Sequence, residues 1–75
     1  MNIIQVNADI LSGILKEKKK ADFRTLLTAS KFNDVELWAA IGWIASEGRL
    51  DTARETVNGS TILMFSLFDQ TVDTL

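Results

Sequence analysis

The dipeptide Asn58-Gly59 separates two β-prone stretches, Leu50 to Val57 and the largely apolar Thr61 to Phe68. Asn-Gly suits the two central positions of a type I′ turn, where both residues take positive φ, so the segment predicts an antiparallel hairpin. A two-stranded hairpin is marginal alone, and the residues before it must supply a core. There the period turns helical. Asn33 followed by Glu36 has the pattern of a capping box, with Asn in place of the usual Ser or Thr, and opens a helix from Asp34 to Glu47. Gly48 follows as a C′ residue able to take the left-handed conformation. Upstream, a short helix is expected over Phe23 to Ser30, with Phe23, Leu26 and Leu27 as its apolar side and Lys31-Phe32 making the turn. Either Asp22 caps that helix or Phe23 sits in a one-bridge strand. Asn7 is expected to cap a first helix whose apolar positions Ile10, Leu11, Ile14 and Leu15 recur at one-turn spacing. Lys16, Lys18, Lys19 and Lys20 crowd the end of that helix, where cations suit the macrodipole. Ile3-Ile4-Gln5-Val6 fits a short strand or an early helical turn equally well.

The 75 residues allow one domain, 1–75, with a core over 6–68 and a polar, frayed tail at 69–75. With no Cys and no His, thiolate nucleophiles, disulfides, zinc fingers and imidazole acid–base chemistry are excluded. The carboxylates form no defensible catalytic pair. Asp34 and Glu36 suit a helix N-terminus, and Asp51 and Glu55 solubilise a strand. There is no glycine-rich phosphate loop, metal-ligand spacing or nucleophile–base arrangement. The expectation is a protein that is not an enzyme, with no cofactor, metal or small-molecule substrate. No apolar run approaches the ~20 residues needed to span a bilayer. No basic n-region marks a secretory signal, so a cytoplasmic location without membrane contact is expected, and the sequon Asn58-Gly59-Ser60 carries no meaning. Apolar residues make up 47% of the chain. Its mean hydropathy is +0.12. A domain of this size buries only about 60% of its chain surface. The excess points to an oligomer, a homodimer in the simplest case, in preference to a densely packed monomer.

The element order is helix, short helix, turn, longer helix and terminal hairpin. That is an α+β chain with the layout of a winged helix-turn-helix, three helices followed by a C-terminal β-hairpin wing. The stretch Leu37-Trp38-Ala39-Ala40-Ile41-Gly42-Trp43-Ile44-Ala45-Ser46-Glu47-Gly48-Arg49-Leu50 resembles the signature of a small bacterial winged helix-turn-helix family of uncharacterised function. Gly42-Trp43 followed by Glu47-Gly48 is its most characteristic part, and the similarity covers Asn7 to Phe68. The resemblance implies a winged-helix fold, with DNA-binding transcription regulation as the usual inference for that fold.

The charges run against that inference. Residues 1–32 hold six bases and three acids, a net +3, whereas residues 33–75 hold Arg49 and Arg54 against seven acids, a net −5. DNA affinity rests on neutralising phosphates, and base readout on Arg, Lys, Asn and Gln. The third helix, which would read the bases, has none of these between Asp34 and Glu47. Its core face is expected to be Leu37, Ala40, Ile41, Ile44 and Ala45. The opposite face carries Val35, Ala39, Gly42, Trp43 and Ser46, small and apolar where a solvated helix would be charged. Trp43 either folds back onto its own chain or anchors a partner. In the second wing strand, Ile62, Met64 and Phe68 alternate with Leu63, Phe65 and Leu67, which leaves both sides apolar. That pattern fits a strand covered on both faces, or one running through the middle of a three-stranded sheet in a dimer. The candidate interface is therefore Val35, Ala39, Gly42, Trp43, Ser46, Ile62 and Met64. Lys18, Lys19 and Lys20 are candidate phosphate contacts, weighed against a solvated helix terminus. The sequence reads as a homodimeric protein-interaction or regulatory module with weak or no DNA binding, the alternative being a DNA-binding transcription regulator.

Overall fold

The computed structural model describes residues 2–68. The proposed frayed tail, 69–75, lies outside the described residues. Helix α1 spans Ile3–Lys18. It is followed by strand β1, Lys20–Asp22, helix α2, Phe23–Ser30, and helix α3, Asp34–Ser46. Strands β2, Leu50–Val57, and β3, Ser60–Leu67, complete the order. This is a three-helix α+β unit closed by an antiparallel hairpin wing.

The first helix begins earlier than Asn7. Asn2 is the cap, its side chain accepting a hydrogen bond from the Gln5 backbone N–H at 2.8 Å. Ile3 to Val6 therefore form the first helical turn, and Asn7 is a buried residue inside the helix. The cap side chain satisfies an otherwise orphaned donor, which outweighs the β preference of two adjacent isoleucines. The longer helix also shifts the core stripe. Ala8, Leu11, Ser12 and Leu15 face inward, and Ile10 is 47% exposed and outside the core.

Lys19 has φ 73° and turns the chain from α1 into β1. Of the two readings of the next boundary, the Asp22 cap holds and the strand at Phe23 does not, since Phe23 opens α2. A strand exists, but it ends at Asp22, and Asp22 then caps α2 by accepting from Thr25 N–H at 2.9 Å. Lys31, with φ 64°, ends α2. At α3 both halves of the capping box are made. Glu36 N–H donates to Asn33 Oδ1 at 2.8 Å, and Asn33 N–H donates to Glu36 Oε1 at 3.0 Å. At the other end Gly48, φ +71°, lets its N–H reach Ala45 O at 3.0 Å and the Arg49 N–H reach Ile44 O at 3.2 Å. That pair of bonds is a Schellman motif.

Asn58 and Gly59 take φ values of 51° and 80°, the left-handed pair of a two-residue hairpin. The register runs from Val57↔Ser60 to Leu50↔Leu67. β3 also pairs with β1, as Lys20↔Ser66, Ala21↔Phe65 and Asp22↔Met64, so the sheet order is β1-β3-β2. A central position explains why β3 lacks clean alternation.

The core joins Ala8, Leu11 and Leu15 of α1, Ala21, Leu26, the α3 residues Leu37, Ala40, Ile41 and Ile44, and Phe65. Ala45, expected inside, is exposed. Its direction on α3 lies about 90° from the middle of the buried face at helical spacing, at the margin rather than the centre. Ile14 and Trp43 pack against this cluster partly buried.

Candidate interaction surface

Helices α2 and α3 form the helix-turn-helix, and α3 meets the wing at β2. The outer side of α3 is where such a fold presents its recognition residues. Val35 there is 77% exposed, Gly42 and Ser46 are exposed, and Ala39 is half-buried. The Ser46 hydroxyl donates to Trp43 O at 2.7 Å, which turns it onto its own helix and leaves the stripe with little to offer a polar ligand. Trp43 lies at the edge of the stripe, half-buried against the chain's own core.

The other flank holds a residue the sequence patterning passed over. Trp38 is 53% exposed. Its ring stacks on Phe23 with centroids 4.6 Å apart and meets Phe65 edge-on at 6.4 Å. Between α2, α3 and the wing lies an open groove of about 430 Å³, lined by Phe23, Trp38, Leu63 and Phe65, with Asp22, Arg24, Thr61 and Ile62 completing its wall. Leu63, 43% exposed, forms part of its wing side. The available sequence signal was Phe23 together with Trp38. It was missed because Trp38 sits on neither the core face nor its opposite, and its partner lies on another helix.

The electrostatics match this apolar character. Asp34 and Glu36 occupy the first turn of α3, and its last turn has no base. Arg49 donates to Glu47 Oε1 at 2.9 Å and to Ser12 Oγ at 3.1 Å, which fixes it between α1 and α3. At the groove, hydrogen bonding from Thr25, its side chain first and its backbone second, holds the Asp22 carboxyl below its ordinary value.

The remaining sequence candidates fall elsewhere. Ile62 and Met64 are half-buried and share a sheet face with Lys20, Asp51 and Glu55, opposite the face that carries Ala21 and Phe65 inward. The structure therefore divides the expected interface into an α3 patch and an outer sheet patch. Lys18 ends α1, Lys19 caps it, and Lys20 opens β1, which packs on α1, α2 and β3 but not on α3. Lys20 is ion-paired with Glu55, while Lys18 and Lys19 are exposed. Among the described residues no cluster of His, Cys, Asp or Glu could hold a metal ion, and no helix is long and apolar enough to cross a membrane.

A three-helix unit with a helix-turn-helix and a hairpin wing defines the winged-helix class. The chain belongs to the family described as Winged helix-turn-helix domain (DUF2582), whose model matches residues 1–64. No curated protein and no solved structure matches it.

Proposed function

We propose that this chain is a non-catalytic, homodimeric interaction module of the cytoplasm that uses a winged-helix frame to hold a protein partner. The partner lies on the outer side of α3, along Val35, Ala39, Gly42 and Ser46 with Trp43 beside them, and its side chains enter the groove at Trp38. The outer sheet patch at Ile62 and Met64 is a second, smaller contact. One observation carries this reading. Where a DNA-reading winged helix needs cations, α3 has none, Arg49 is already bonded, and a tryptophan stands half out of the surface. Aromatic residues in partly formed pockets are frequent anchors of protein interfaces. Phosphates would meet Asp34 and Glu36 instead.

The test is a titration of labelled duplex DNA followed by fluorescence anisotropy at about 50 and 200 mM salt. Weak, sequence-independent binding that depends on Lys18 and Lys19 and disappears at the higher salt is expected. Tight, sequence-specific binding at the higher salt, lost in Trp38→Ala or Ser46→Ala, would replace this reading with that of a transcription regulator. Sedimentation of the purified chain checks the homodimer directly.

A further inference from the structure

The outward side of α1 carries a second apolar stripe, Ile3 and Ile10, that the core does not use, with Ile14 at its margin with the core. Ile3 is 67% exposed and Ile10 47% exposed, while Ile14 is half-buried beside them. Gly13 sits in the middle of this side. It is exposed, takes no positive φ, and has no atom within 4 Å of the Cβ it lacks. A glycine inside a helix costs roughly 0.5–1 kcal/mol relative to alanine. Nothing in the chain's own packing fills that vacancy, which leaves room for a second helix to approach closely. Charge flanks the same position. At about 100° per residue, Asp9 and Lys16 project from one side of Gly13, and Ile10 and Ile14 from the other, where the exposed Glu17 lies beside Ile10. Among the described residues neither Asp9 nor Lys16 makes an ion pair.

We infer that the two copies of the homodimer meet along α1, antiparallel, crossing at Gly13, with Asp9 of each copy facing Lys16 of the other. This rests on the homodimeric reading above and assigns its surface. The spacing selects the arrangement. The midpoint of Asp9 and Lys16 falls within one residue of Gly13, so a two-fold axis there brings the acid of one helix level with the base of the other, twice. The same axis brings Ile10 of one copy to within about one residue's rise of Ile14 of the other, also twice, on the opposite edge. The antiparallel two-fold axis keeps each edge against its own kind, so ion pairs line one side and isoleucines, with Glu17 at their rim, the other. A parallel pair, with its two-fold axis along the helices, would instead set the charged edge of each copy on the isoleucine edge of the other. An antiparallel crossing leaves α3 and the groove free for the protein partner.

The experiment is sedimentation velocity over roughly 1–100 µM on the wild type and three variants, with circular dichroism as the folding control. Ile10→Glu should be a folded monomer, because its side chain is exposed in the single chain. Asp9→Lys should weaken the dimer roughly tenfold, since two attractive pairs become repulsive. The charge reversal Asp9→Lys with Lys16→Asp should return it to near wild-type affinity, a rescue that a merely structural role would not give. A dimeric wild type whose Ile10→Glu and Asp9→Lys variants associate unchanged would overturn the α1 assignment and leave the homodimer standing. A wild type monomeric throughout would overturn the homodimer itself.

Discussion

Gly42 and Gly48 lie six residues apart at the end of one helix, and alanine should act on them with opposite sign. Gly42 is interior to α3, exposed, with nothing within 4 Å of a Cβ placed there. Alanine fits without contact, and it removes the backbone freedom that glycine must give up on folding. Gly42→Ala should therefore stabilise the purified chain by about 0.5–1 kcal/mol. Gly48 also has open space around it, but its φ of +71° is needed for the two bonds that close the helix onto Ala45 and Ile44. An L-residue held there costs about 1–2 kcal/mol. A more restricted unfolded chain offsets about 0.4–1 kcal/mol of that, leaving a net loss of up to about 1.6 kcal/mol. Urea denaturation at one fixed protein concentration measures both, and the difference between the variants should be about 0.5–2.6 kcal/mol. For a domain of this length each kcal/mol moves Tm by roughly 4–8 °C, so the two melts should separate clearly. Equal effects at the two positions would refute the reasoning, because space alone does not distinguish them. A destabilised Gly42→Ala would show that the outer side of α3 is already occupied in the purified protein.

Ile41→Ala removes a side chain that is 5% exposed at the junction of α1 and α3, and a loss of about 2–5 kcal/mol is expected by denaturation. Asn33→Ala breaks the capping box and should cost about 1 kcal/mol, with Glu36→Ala adding less in that background than alone because the two bonds are reciprocal. The Asp22 carboxyl is lowered below its ordinary value of 3.8 in the folded chain, chiefly by Thr25. Its contribution is then fully present above that value and is lost as pH falls through the lowered folded one. Asp22→Asn, which can still cap, should therefore flatten the acid limb of the stability–pH curve and leave neutral pH nearly unchanged.

The element order was legible in the chain because its signals are local and chemical. Asn33 with Glu36, Gly48 after the last helical turn and Asn58-Gly59 each fix one boundary through hydrogen bonds made within a few residues. The first helix was legible only in part. Asn2 and Asn7 are equally good caps by type, and the spacing of Ile10, Leu11, Ile14 and Leu15 marks an apolar stripe whose margin, not its centre, faces the core, because the small Ala8 and Ser12 are the buried neighbours of Leu11 and Leu15. Strand β1 was hidden for a different reason. Three residues have no period, and Lys20, Ala21 and Asp22 become a strand only by pairing with Ser66, Phe65 and Met64. The apolar character of α3 pointed to an interaction surface, but the groove is made by Phe23, Trp38 and Leu63 from three elements. No one-dimensional pattern joins them.

The place of β3 in the sheet sets an order of events for the growing chain. Of the described strands it is the last to be made, and it is the central one, with β1 on one side and β2 on the other. Until residues 60–67 have left the ribosome, β1 has no neighbour to pair with, and Phe65 is missing from the middle of the core. The helices α1, α2 and α3 can associate earlier, but Ala21 waits for a partner 44 positions further along. Contacts of such long sequence separation slow folding. During that interval the apolar faces of three helices have no lid. Those faces are therefore covered only when the wing folds back and closes.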